Sequence, residues 1–172
     1  MSSVSSVAKK ILVATTNPGK IAELRASLGA DVQWLGLSDL KSITEIEEDG
    51  TTFAENARKK ALGYAKAAGL WTIVDDSGLV VDALDGAPGV KSARFSGGKE
   101  KDRTLLDHKN MAKVLRLLQD VPGEKRTARF VCCLCLASPE RILIETEGTL
   151  EGLINDEPIG ENGFGYDPIF FV

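Results

Sequence analysis

The chain has 172 residues, 43% of them hydrophobic and 27% charged, a balance that fits one globular α/β domain. That length can build a core without disulfide or metal staples. A net charge of −4 excludes a global basic field that would draw the protein onto nucleic acid, although local lysines can still hold a small anion.

Residues 1–9 form a serine-rich leader, read as disordered, with no apolar stretch of signal-peptide length. Residues 10–172 are expected to form a single domain. No segment approaches the ~20 apolar residues of a membrane span, so a cytoplasmic protein without a membrane partner is expected.

Ile11–Ala14 is a short apolar run that reads as a buried strand. Thr15-Thr16-Asn17-Pro18-Gly19-Lys20 follows as a turn, with Asn17 at an N-cap and Pro18 at the first helical position. Ile21, Leu24 and Leu28 then fall at helical spacing before Gly29. Val32–Leu37 reads as a second strand, and Glu45–Gly50 as an acidic loop.

A helix over Thr51–Ala68 carries Ala54, Ala57, Ala61, Ala65 and Ala68 along one narrow side, which predicts close packing, and Gly69 closes it. Thr72–Val74 and Leu79–Val81 read as strands flanking an acidic turn, Asp75-Asp76-Ser77-Gly78. Asp102–Gln119 reads as an amphipathic helix with Leu105, Met111, Ala112, Leu115 and Leu118 inward. His108, the one histidine, is placed at the buried edge of that face as a structural residue. Ala128–Ala137 and Ile142–Thr149 read as an antiparallel pair joined by Ser138–Arg141. Cys132, Cys133 and Cys135 lie in the first of these strands as buried thiols in a reducing compartment. The chain stops on an apolar, strand-like ending, Asp167–Val172, which reads as a truncated form of a longer protein.

Four groups of residues carry chemistry. A helix N-terminus after Gly19-Lys20 offers backbone N–H groups to a phosphate, which would offset the unfavourable position of Lys20 in the first helical turn. Carboxylates next to buried strands are costly unless paired, hydrogen-bonded or on a metal. One carboxylate from Glu45–Asp49 and one from Asp75-Asp76 would give magnesium the hard oxygen ligands it takes alongside water and phosphate. Asn56 and Lys60 share a helix face and could meet phosphate, with solvation as the plainer reading. Gly163-Phe164-Gly165-Tyr166-Asp167-Pro168 sets two aromatics among glycines, suited to stacking on a base. Gly86-Ala87-Pro88-Gly89 and Gly97-Gly98 read only as turns.

Taken in order, these motifs resemble the inosine triphosphate pyrophosphatase family, which acts on nonstandard purine nucleoside triphosphates. The resemblance runs from Ile11 to Val172, through Thr15–Lys20, Glu47–Ala57, Val74–Leu79, Gly86–Gly97 and Gly163–Pro168. It implies an α/β fold: an elongated mixed sheet with flanking helices, in two lobes around a central cleft, assembled as a homodimer. It further implies hydrolysis of ITP, dITP and XTP to monophosphate and pyrophosphate with Mg2+. Carried onto matching positions, Thr15, Thr16, Asn17, Pro18, Gly19 and Lys20 resemble the triphosphate-binding turn. Glu47 and Asp76 resemble the metal ligands, Asp76 also the base that activates water. Ser77, Asn56 and Lys60 resemble substrate contacts, and Phe164, Gly165, Tyr166 and Asp167 part of the base pocket. The family continues past Val172 with a charged segment ending in Ser-His-Arg, which implies that this chain lacks some base-recognition groups. A related nucleotide pyrophosphatase of another base preference, or a catalytically weak nucleotide-binding fragment, are the alternative readings.

Overall fold

The computed structural model describes residues 9–15, 26, 32–40, 43–98, 100, 102–160 and 163–172. Strands β1 (Lys9–Val13), β2 (Val32–Gly36), β3 (Trp71–Val81), β4 (Thr127–Ala137), β5 (Ile142–Ile154) and β6 (Phe170–Phe171) form one sheet in the order β2-β1-β3-β4-β5-β6. Helices α1 (Phe53–Ala68) and α2 (Arg103–Leu117) accompany it. β1 pairs in parallel with β2 and with β3, whereas β5 and β6 pair antiparallel, so the sheet is mixed. Contacts at Arg126·Ile154, just before β4, and at Arg129·Glu151 and Cys133·Glu147 within it rise along one segment as they fall along β5, which makes the β4–β5 pair antiparallel too. The N-terminal leader before Lys9, the helix expected from Ile21 to Leu28 apart from Ala26, which is helical, and most of the turn before it lie outside the described residues.

The chain divides into two compact units. The first comprises residues 1–49, 54–75 and 134–146, the second residues 50–53, 76–133 and 147–172. In the first, Ala57, Ala61 and Ala65 of α1 are fully buried, as are Leu12 of β1 and Cys135 of β4. Alanine at this spacing removes side-chain bulk from one helical stripe, so backbone can approach closely. Ala54 and Ala68, at the two ends of that stripe, are only half-buried. Gly69 ends α1 at φ +65, its N–H donating to the Ala65 carbonyl.

The second unit is built on Leu79 and Val81 of β3, Met111 and Val114 of α2, Leu118 just past its end, Ala128 of β4 and Ile154 of β5, closed by Tyr166 and Ile169. Burial of each large apolar side chain here contributes about 1.5–3 kcal/mol. The Asp102 carboxylate caps α2 by accepting the Leu105 N–H.

Two expectations fail here, for physical reasons. The acidic residues do not form a turn: Trp71–Val81 is one continuous strand. Its buried side changes parity along its length, from Thr72 and Val74 to Leu79 and Val81. The acids fall where that change occurs, so a carboxylate in mid-strand need not enter either apolar core. Likewise, the buried stripe of α2 is rotated from its apolar count. Leu105, Ala112 and His108 are exposed, while Asp107 and Asn110 are buried with Met111 and Val114. Polar residues that bind loop backbone occupy the stripe, and a count of apolar residues cannot see them.

The three cysteines are free, with Cys133 and Cys135 buried on one side of β4. The Cys133 thiol faces a Glu147 carboxylate oxygen at 3.2 Å, and burial pushes it up to about 12; burial likewise pushes Cys135 to about 11. Both are therefore protonated at neutral pH and poor nucleophiles. Iodoacetamide at pH 8 is expected to leave them intact in native protein and to label them in urea, as read by peptide mass spectrometry. Fast native labelling of Cys133 would contradict this burial. Because folding raises both thiol values, their contribution to stability is complete below pH ~9 and is lost as pH rises toward 11–12.

Candidate active site

In the first unit, helix α1 holds the acidic loop in place. A Cβ on Gly63 would stand 2.8 Å from Ile46 Cδ1, so glycine there lets Ile46 lie against the helix. The Ile46 N–H donates to the Tyr64 hydroxyl at 3.3 Å. Lys59 pairs with Asp49 and holds that carboxyl below the usual range. Lys60, with its side chain only 12% exposed, pairs with Glu48 at 2.7 Å and donates to the Asp75 carbonyl oxygen at 3.1 Å. A single ammonium thus joins the acidic loop to the main chain of the acidic strand. Among the described residues Glu47 is exposed and carries no ion pair, which leaves its carboxylate for a ligand.

Solvation of Asn56 and Lys60, the plainer sequence reading, is corrected. Asn56 is 1% exposed, one turn before Lys60. Thr15 is half-buried just past β1, where the preceding Ala14 N–H donates to the Ile73 carbonyl. Thr16, Asn17, Pro18, Gly19 and Lys20 lie outside the described residues.

In the second unit, Asp76 and Ser77 are half-buried, whereas Asp75, the last residue of the first unit, is 8% exposed. Neighbours on a strand point to opposite faces, so the two acids are not equivalent, and Asp76 is the one more open to water. The next residue, Gly78, is required by packing: a Cβ there would meet Ser92 Oγ at 2.3 Å and the Gly89 carbonyl oxygen at 2.9 Å. Ser92 accepts the Leu79 N–H at 2.9 Å and donates to Gly89 at 2.6 Å. The segment read only as a turn, Gly86 to Gly89, therefore seats the end of the acidic motif.

The aromatic loop also belongs to the second unit. Gly163 and Gly165 adopt φ +89 and +62, and a Cβ on Gly163 would stand 2.6 Å from Asp167 Oδ2. That same oxygen accepts the Phe164 N–H at 2.9 Å. Tyr166 is buried; its hydroxyl donates to the Ser92 carbonyl at 2.8 Å, and burial raises its pKa. Phe164 stands 50% exposed, an aromatic face open to a planar ligand. Of the four expected base-pocket residues, then, Phe164 offers a surface, Tyr166 serves as an anchor, and Asp167 shapes the loop.

Among the described residues no three His, Cys, Asp or Glu side chains gather as a metal cluster. Magnesium does not require one, since one or two carboxylates suffice when water and phosphate complete its shell. Glu47 in the first unit and Asp76 in the second each carry a carboxylate, an oxygen donor of the type magnesium takes.

Residues 11–172 match the Ham1 family. The chain belongs to that family. It is 52% identical over 165 residues to the dITP/XTP pyrophosphatase of Halalkalibacterium halodurans, covering 95% of this chain and 82% of that relative. The crystal structure of a nucleoside-triphosphatase, dITP/XTP pyrophosphatase, from Mycobacterium abscessus is 45% identical with a TM-score of 0.79, covering 94% of this chain and 82% of that one. A HAM1 protein from Coxiella burnetii is 39% identical with a TM-score of 0.84, covering 95% and 82%. The mixed six-stranded sheet is therefore the Ham1 fold.

Sequence reasoning missed Ile46, Gly63 and Tyr64 as the support of the acidic loop, and Ser92, Asp107 and Asn110 as supports in the second unit. Glycine in mid-helix was the one available signal for the first set, since Gly63 costs about 1 kcal/mol of helix propensity and so calls for a packing reason.

Proposed function

We propose that this Ham1 chain hydrolyses nonstandard purine nucleoside triphosphates, ITP, dITP and XTP, to the monophosphate and pyrophosphate. The observation that carries this reading is the Lys60 bridge from Glu48 to the Asp75 main chain, which sets a half-buried cation against the middle of the acidic strand. A family whose relatives bear the name dITP/XTP pyrophosphatase supplies the substrate class.

In this reading Asp76 orients water and takes its proton as the oxygen attacks the α-phosphorus. The bond from that phosphorus to the bridging oxygen breaks, and pyrophosphate leaves. Magnesium held by Glu47 and Asp76 would offset charge on the departing pyrophosphate. Asn56, Lys60, Ser77 and the Thr15–Lys20 turn contact the phosphates, and Phe164 stacks on the base. The proposal extends to a cytoplasmic homodimer that binds neither nucleic acid nor membrane. A net charge of −4 supports the first of those absences. No described helix is long and apolar enough to cross a membrane.

Pyrophosphate release is to be compared for ITP, XTP, ATP, GTP and dTTP, with magnesium and with chelator. ITP and XTP are expected to exceed the others in kcat/KM by about tenfold or more, with no release in chelator. Equal rates on all five would overturn the base-selective reading. Preference for dTTP would favour a pyrophosphatase of another base class.

A further inference from the structure

Helix α2 buries a row of polar side chains, Asp107 and Asn110, continued by half-buried Lys113. Three-residue spacing keeps them on one side over two turns. Burying such groups is costly unless each is hydrogen-bonded, and each one here is bonded to a loop. Asn110 Oδ1 accepts the Ser96 N–H at 2.7 Å while its Nδ2 donates to the Ala93 carbonyl at 3.3 Å. Lys113 donates to the Phe95 carbonyl at 2.6 Å and lies 4.3 Å over the Phe95 ring. Asp107 Oδ2 accepts the Gly165 N–H at 3.2 Å, and its Oδ1 holds Arg103 at 3.0 Å.

Two loops, Ala93–Gly97 and Gly163–Asp167, thus hang from one helix, and the Tyr166 hydroxyl closes on Ser92 at the foot of the first. The second loop contains two glycines at positive φ, so it has much conformational entropy to lose on ordering. Its exposed Phe164 lies next to the tethered Gly165.

We infer that Asp107 is a positioning residue for purine recognition: its carboxylate holds the Gly165 N–H and so orders the Phe164 face before a base arrives. This rests on the proposed function, which puts the base against that loop. A carboxylate–amide hydrogen bond is stronger than a neutral one, and ordering a loop in advance lowers the cost of binding. Loss of the tether should then appear in KM and leave kcat nearly alone.

Asp107→Ala is expected to raise KM for ITP about tenfold with kcat changed less than about twofold. Asp107→Asn, which keeps an oxygen acceptor, should recover most of the loss. Arg103→Ala removes the ion pair within α2 but leaves Oδ2 on Gly165, and should keep the native KM. Amide exchange at Gly165 should accelerate in Asp107→Ala without change in the core amides of β3. If native protein cleaves ITP selectively and Asp107→Ala matches it in KM and in Gly165 exchange, the inference is overturned and the proposed function stands. An equal KM rise in Arg103→Ala also overturns it, because the effect would then run through helix stability. A native chain that cleaves no triphosphate overturns the proposed function and the inference with it.

Discussion

Asp76→Asn is expected to lower kcat for pyrophosphate release from ITP by about 10²–10⁴-fold, the usual contribution of a positioned general base. KM should change far less, since the substitution keeps the size of the side chain and removes only its charge and proton affinity. Asp76 lies in a continuous strand and is half-buried, so the amide is accommodated without a new cavity. An unchanged thermal melt would assign the loss to chemistry. Asp75→Asn should cost much less activity, because Asp75 is 8% exposed and contributes its main-chain oxygen to Lys60, which asparagine retains. Should the two variants exchange these effects in a coupled pyrophosphate assay, the base would be Asp75.

The second large effect concerns stability. Gly78→Ala should destabilise by at least about 2 kcal/mol, lowering Tm by roughly 4–8 °C. The new methyl would occupy space 2.3 Å from Ser92 Oγ, 2.8 Å from Ser92 Cβ and 2.9 Å from the Gly89 carbonyl. Ser92 cannot simply turn away, because its hydroxyl serves both the Leu79 N–H and the Gly89 carbonyl. Rotation would leave a buried donor without an acceptor, which costs about as much as the clash. Removing the Ser92 side chain in the same protein, as Gly78→Ala with Ser92→Gly, should recover part of the loss. The coupling is read from a double-mutant cycle of urea melts. Strict additivity of the two changes would mean that the Gly78–Ser92 contact does not set the register of this strand.

The alanine stripe of α1 was legible in the sequence because a helix has one period, and small residues at that period have one packing consequence. The same holds for the β4–β5 pair and its Ser138–Arg141 turn, where the Ser138 N–H donates to the Arg141 carbonyl as expected of a tight connection. The inner face of α2 was not legible, because its buried positions include Asp107 and Asn110, and only the loops they bind explain why those polar groups are there. Lys60 was misjudged for the same reason: its partners, Glu48 and Asp75, are 12 and 15 residues away.

From sequence alone came the chemistry on offer: an acidic loop, a pair of adjacent acids, a lysine four residues from an asparagine, aromatics among glycines, and the family that orders them so. Those are local properties of residue type and spacing, which one dimension carries in full. Tertiary structure alone decided which acid faces water, why Gly78 must be glycine, and which helix supports the aromatic loop. Each of those depends on contacts between segments distant along the chain, and such contacts leave no period to count.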